Sequence, residues 1–185
     1  MCQARFSVHC SFLQIYNEKL FDLLGGSGDA SSGLIIREHK NSRTNKAEVF
    51  VSGLSEYRVT SVEDVMALLE AGAKERALRA TEMNDTSSRS HAILQLSVES
   101  ESSTEDFSVL KRAKLSLVDL AGSEKMNTKE NIGQEHTKEL TSINKSLSAL
   151  GNVMAALSDK GRTHGESREE LMQYWRQRLL YALQF

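Results

Sequence analysis

Two polar clusters carry residues whose types and order suit chemistry on a phosphate. The first, NDTSSRSH at 84–91, offers Asn84, the Ser87 and Ser88 hydroxyls and the Arg89 guanidinium. The second, VDLAGSE at 118–124, closes an apolar run with Asp119, Gly122 and Glu124. A carboxylate at a strand end can hold a Mg²⁺-bound water, and a glycine N–H can approach a terminal phosphate because no Cβ blocks it. Ser87 and Ser88 can meet a phosphate oxygen and the metal, so Ser88 and (through water) Asp119 are the metal-side candidates. The planar fork of Arg89 suits a carboxylate, and Glu124 is its candidate partner. Such a latch would form or break with the γ-phosphate and turn phosphate loss into motion.

Taken singly, each piece has a plainer reading. Asp119 can be a turn residue after a strand, and SSRS a solvated loop or a helix cap. His91, opening a strand, reads as a hydrogen-bonded packing residue rather than a base or metal ligand. Two cysteines and five histidines make no metal-ligand spacing.

The elements that must position these clusters are legible from periodicity. RFSVHCSFLQIY at 5–16 alternates, with Phe6, Val8, Cys10 and Phe12 on one face of a strand. NEKLFDLL continues as a short helical turn and stops at the flexible loop GGSGDASSG. LIIREHK and EVFVSGL are short strands around a polar, basic turn. Ser61 with Asp64 resembles a capping box, and Val62, Val65, Leu68 and Leu69 give a helical stripe that runs to about Ala80. AILQLSVES and KRAKLSLVDLAG form strands around the acidic turn ESESSTED. From Thr137 to Leu157 the spacing of Leu140, Ile143, Leu147, Leu150, Val153, Met154 and Leu157 makes an amphipathic helix. A further helix is expected in the tail, capped by Ser167 with Glu170 behind it, and with Leu171, Trp175 and Leu179 on one side. Strands and helices are mixed, which is the α/β class.

Bulk properties set bounds. A chain of 185 residues, 39% hydrophobic and 26% charged, has the size and composition of one soluble domain with a core. A net charge of −2 argues against broad binding to nucleic acid or an anionic membrane, though a local basic patch is compatible with it. No apolar run reaches a membrane span and MCQARFSVHC has no secretory core, so a cytosolic location is expected. Cys2 and Cys10 lie apart on one extended segment, which suits reduced thiols.

SFLQIYNEKLFDLL, NDTSSRSH, LSLVDLAGSEK and INKSLSALGNVMAAL occur in that order, and together they strongly resemble the kinesin motor domain over roughly residues 5–160. The resemblance implies an ATP-driven microtubule motor that uses Mg-ATP, with tubulin as partner and the cytoskeleton as location. It implies that Asn84, Ser87, Ser88 and Arg89 form a first switch, and Asp119, Gly122 and Glu124 a second. Asn144 would help order the water-bearing region. The 137–157 helix, with Lys145, would lie against tubulin, with Lys125 and the loop after it at that face. The hairpin HKNSRTNKAEVF would add His39, Lys40, Arg43 and Lys46 as a basic patch against acidic tubulin, although a solvated hairpin tip explains them equally well. The implied fold is a partial motor domain: a mixed sheet flanked by helices, with about half of the sheet missing, over 1–160, and a divergent tail over 161–185.

The family's G-x-x-x-x-G-K-[ST] phosphate loop does not occur in this sequence. Gly28 and Gly33 have the glycine spacing, but Leu34 and Ile35 follow where Lys and Ser/Thr must stand. After GRTH the family continues with a basic, proline-containing segment and a further helix, and here GESREELMQYWRQRLLYALQF stands instead. Without the loop, no ATPase activity is expected of this polypeptide alone. The strand ending at Asp119 would become a sheet edge, and the tail is expected to cover it through Trp175 and Leu179. Two other readings stay open: a non-enzymatic short isoform that binds microtubules or a motor partner, and an incomplete gene model. A small GTPase is disfavoured because NKAE and NKSL lack the aspartate of N-K-x-D. No coiled-coil heptads are present to indicate oligomerisation, direction or cargo.

Overall fold

The structure is a computed structural model that describes residues 3–26, 34–40, 47–82, 89–103, 108–122 and 134–158. The alternation in the first segment gives β1 (Gln3–Tyr16), which is buried on both faces from Cys10 to Ile15. Its chain then reverses through Asn17 and Glu18, both at positive φ (47° and 62°), into β2 (Lys19–Asp22). Two consecutive left-handed residues are the signature of a two-residue hairpin whose twist matches its strands. The helical turn expected for NEKLFDLL is therefore corrected to a hairpin. Its apolar residues are too few to separate the two periods. Pairing of Tyr16 with Lys19 instead places Leu20, Phe21 and Leu23 in the core.

The main sheet runs β2-β1-β6-β7, with β5 (Tyr57–Val59) on β1, and every described pairing is antiparallel. β6 (His91–Ser103) and β7 (Ser108–Asp119) form a hairpin longer than ESESSTED suggested, because β6 continues through Ser103. Among the described residues no strand pairs with β7 on its other side, the edge position expected for it. A separate hairpin, β3 (Ile35–Lys40) and β4 (Ala47–Ser52), matches the two short strands read from sequence. Its tip and the tail lie outside the described residues.

A helix covers one face, and the β3–β4 hairpin with a second helix covers the other. On one, Cys10, Phe12, Ala92 and Leu94 pack with Val65, Leu68 and Leu69 of α1 (Val62–Glu82). On the other, Leu13, Ile15, Leu20 and Ile93 meet Ile36, Val49 and Val51 of the β3–β4 hairpin and Leu150 of α2 (Gln134–Ser158). α2 begins three residues before the expected Thr137. Met154, expected on its apolar stripe, is 58% exposed, because the sheet supports only the part of the helix around Ile143 and Leu150.

The expected cap of α1 is in place. Ser61 Oγ accepts from Asp64 N–H at 3.1 Å, and the Asp64 carboxylate accepts from the main-chain N–H groups of Thr60 at 2.8 Å and Ser61 at 3.1 Å. The Thr60 amide leads the causes that hold the Asp64 carboxyl below the usual carboxylate range. Farther along, α1 closes on β1 at Gly72, where an added Cβ would run into the Phe12 ring and approach Leu23. Gly72→Ala in a helix normally stabilises by roughly 1 kcal/mol. Overpacking against Phe12 reverses the sign, so a loss of about 1–3 kcal/mol is expected on chemical denaturation of the full chain. A variant as stable as the parent would show that α1 does not sit this close.

Candidate functional site

Pairing of Ala92 with Asp119 puts the start of β6 beside the end of β7, so the ends of the two polar clusters meet at one end of the sheet. Ser90, the last residue before β6, is fully buried, and its hydroxyl accepts from Gln14 Nε2 of β1 at 2.9 Å. Arg76, from the C-terminal half of α1, spans both clusters. Its Nη1 donates to Asp119 Oδ2 at 2.6 Å and its Nη2 donates to the Ser90 carbonyl at 3.2 Å. The guanidinium is largely enclosed while the Asp119 side chain is 68% exposed, so the carboxylate reaches out of the sheet end with one oxygen engaged.

His91 makes a second connection, towards the opposite face. The ring is buried, and Nδ1 accepts from the Ala121 N–H at 3.0 Å. In a neutral ring the proton then sits on Nε2, which donates to Ser146 Oγ of α2 at 2.8 Å. Ser146 Oγ in turn donates to the Ile143 carbonyl at 2.8 Å. Burial is the main cause that pushes the imidazole pKa down; Asp119 opposes it and Arg76 adds to it. The expectation of a hydrogen-bonded packing residue holds.

The other expected residues divide between described and undescribed chain. Arg89 is half-buried beside Ser90, and Gly122 is exposed next to buried Ala121. Asn144 is half-buried on α2, adjacent to Lys145, whose side chain is 60% exposed and lies 3.8 Å from Glu18. His39 is exposed on β3 opposite Glu48, and Lys40 pairs through its main chain with Ala47. Asn84, Ser87, Ser88, Glu124, Lys125, Arg43 and Lys46 lie outside the described residues, and with them the Arg89–Glu124 latch. Arg76, like Ser146, is a residue that sequence reasoning missed. Its place on the α1 surface gave no signal by spacing; only the packing of α1 over the β6–β7 end brings it to Asp119.

Among the described residues no group of three or more His, Cys, Asp or Glu gathers as a metal cage. An exposed carboxylate at a strand end with a glycine behind it fits the outer side of a Mg²⁺-bound phosphate, through water. It does not by itself enclose a nucleotide.

Arg76 thus joins the β6–β7 end to α1 on one face of the sheet, and His91 joins it to α2 on the other. The kinesin motor domain family matches residues 2–183. Kinesin-like protein KIF15 of Strongylocentrotus purpuratus is 46% identical over 163 residues, which are 88% of this chain and 10% of that protein. Kinesin-related protein 5 of Dictyostelium discoideum is 44% identical over 87% of this chain and 15% of its own length. Among solved structures, a fast kinesin superposes with a TM-score of 0.69 at 37% identity, covering 95% of this chain and 47% of that one. The C-terminal motor and motor homology domain of Kar3Vik1 gives 0.65 at 30% identity, over 98% of this chain and 44% of that one. The chain belongs to the kinesin motor domain family. It spans about a tenth of the length of the curated relatives and just under half of the solved motor chains it matches.

The depressed pKa of His91 fixes a pH dependence. Above the ordinary value of 6.5 the imidazole is neutral both folded and unfolded, and the fold has its full stability. As pH falls below 6.5 the unfolded chain takes up a proton that the buried ring refuses, so stability is lost between 6.5 and the lowered folded value. Denaturation at about pH 7.5 and about pH 5.5 is expected to show a smaller acid loss for His91→Gln than for the parent. Equal losses would mean that His91 titrates as in water.

Proposed function

We propose that this chain supplies the nucleotide-sensing and microtubule-facing half of an ATP-driven microtubule motor, working in the cytoplasm on the microtubule cytoskeleton. The observation that carries this reading is the pair of connections at the sheet end: Arg76 joins the end of the first cluster to Asp119, and His91 joins the segment after Asp119 to α2. Mg-ATP, when bound, supplies the γ-phosphate and metal-bound water that the switch residues read. Ser87, Ser88 and Gly122 would then contact phosphate, Ser88 and (through water) Asp119 would face the metal, Arg89 with Glu124 would form the latch, and Asn144 would help order the water-bearing region. Arg76 holds one oxygen of the Asp119 carboxylate and also the Ser90 carbonyl. A displacement of Asp119 at the metal would therefore be felt at Ser90 as well.

The polymer side of the proposal rests on α2 and the β3–β4 hairpin. Among the described residues, Lys145 of α2 has a long, exposed ion pair to Glu18, a contact of little strength. It is free to exchange that partner for an acidic surface. Lys125, and His39, Lys40, Arg43 and Lys46 of the hairpin, complete a basic footprint that suits tubulin.

The 185-residue chain holds no G-x-x-x-x-G-K-[ST] segment. This favours a second reading for the chain acting alone: microtubule binding that ignores nucleotide. Two outcomes are expected of the purified chain. It shows no Mg-ATP turnover with or without microtubules, and turnover abolished by Gly122→Ala would overturn that. It sediments with microtubules equally with and without ATP, and Lys145→Ala weakens binding by roughly threefold to tenfold at low salt. A chain that stays in the supernatant would refute the polymer-facing assignment.

A further inference from the structure

The hydrogen bonds through His91 run in one direction. Ala121 N–H donates to Nδ1, Nε2–H donates to Ser146 Oγ, and the Ser146 hydroxyl spends its own proton on the Ile143 carbonyl. Having donated to Ile143, the hydroxyl offers His91 only lone pairs, which fixes the ring's proton on Nε2 and leaves Nδ1 as the acceptor that Ala121 needs. All three residues are buried, at 5% exposure or less. A broken link therefore leaves a buried polar group without a replacement from water, which is the costly case.

We propose that His91 is a positioning residue that makes the place of the Asp119–Gly122 segment and the place of α2 depend on one another. The proposal deepens the reading given above, in which Asp119 and Gly122 face phosphate and α2 faces the polymer. The imidazole is a rigid plane that accepts at one edge and donates at the other. It can satisfy both neighbours only while Ala121 and Ser146 keep their present separation. If a polymer shifts α2, the ring loses its acceptor and its orientation, and the Ala121 amide loses a partner it does not share with α2 directly. If a phosphate draws the segment after Asp119 outward, the same ring is pulled from Ser146. Because the two displacements act on one equilibrium, the coupling is equal in both directions. The exposed Lys145–Glu18 pair, at 3.8 Å, is too loose to do the same.

Amide hydrogen exchange on the full chain tests this. Ser146→Ala touches neither Ala121 nor its hydrogen bond to His91, yet it is expected to speed exchange at the Ala121 amide by roughly threefold to tenfold. The amides of Leu13 and Ile15 in β1, which report global opening, should keep their rates. Ser146→Thr retains the hydroxyl and should restore the parent rate at Ala121. His91→Phe fills the ring volume without either bond and should give at least the Ser146→Ala effect. An Ala121 rate that is unchanged in Ser146→Ala, or that rises only in step with Leu13 and Ile15, would overturn the proposal. With microtubules added, the parent's Ala121 rate should change and that of Ser146→Ala should not. If the parent does not sediment with microtubules, the polymer-facing reading of α2 falls, while the comparison in the free chain still decides the coupling.

Discussion

The structure turns on a buried imidazole that must remain neutral and in a single tautomer. His91 sits where β6 leaves the first polar cluster, with its ring between the main chain that follows β7 and the middle of α2. Remove its acceptor edge and the Ala121 amide is orphaned in the core; remove its donor edge and α2 loses a buried bond to the sheet. Both costs are of the size of a desolvated polar group, roughly 1–3 kcal/mol each. That is a substantial share of a single domain's stability of about 5–15 kcal/mol. The geometry of the site is thus enforced by hydrogen-bond bookkeeping in the interior rather than by surface charge.

Arg76 plays the matching part on the other face. Its ion pair with Asp119 is short, but the carboxylate is mostly in solvent, and salt screening limits such a pair to about 1 kcal/mol or less. Its importance is positional. The same guanidinium holds the Ser90 carbonyl, and Ser90 is held in turn by Gln14, so Asp119 is tied to β1 through three side chains. The outer bond is thus the weak one, and the inner anchor through Ser90 and Gln14 the rigid one.

Much of this was legible in the sequence. Period-two alternation in β1, β6 and β7 and the Ser61–Asp64 signature placed the sheet and the start of α1. Two polar clusters at a strand start and a strand end had to meet once those strands paired. What escaped was of two kinds. The reversal at Asn17–Glu18 depends on left-handed backbone at a glutamate, which composition does not announce. Arg76 and Ser146 depend on how helices cross the sheet, and a helical position carries no mark of the strand end above which it will lie. His91 was read correctly as a packing residue, yet the identity of its two partners is a tertiary fact.

On the proposed reading this chain senses phosphate rather than holding it. Two or three charge-assisted hydrogen bonds to the outer edge of a metal-bound phosphate would supply roughly 1.5–3 kcal/mol each. Ordering even a few loop residues costs about 1–2 kcal/mol apiece, which leaves little net affinity. The most direct measurement is a titration of the purified chain with a fluorescent ATP analogue and Mg²⁺. A chain that senses without holding gives no saturable signal up to millimolar analogue. Saturable binding at micromolar concentration would contradict it, and would mean that this half of the sheet encloses phosphate with groups other than those identified at the β6–β7 end.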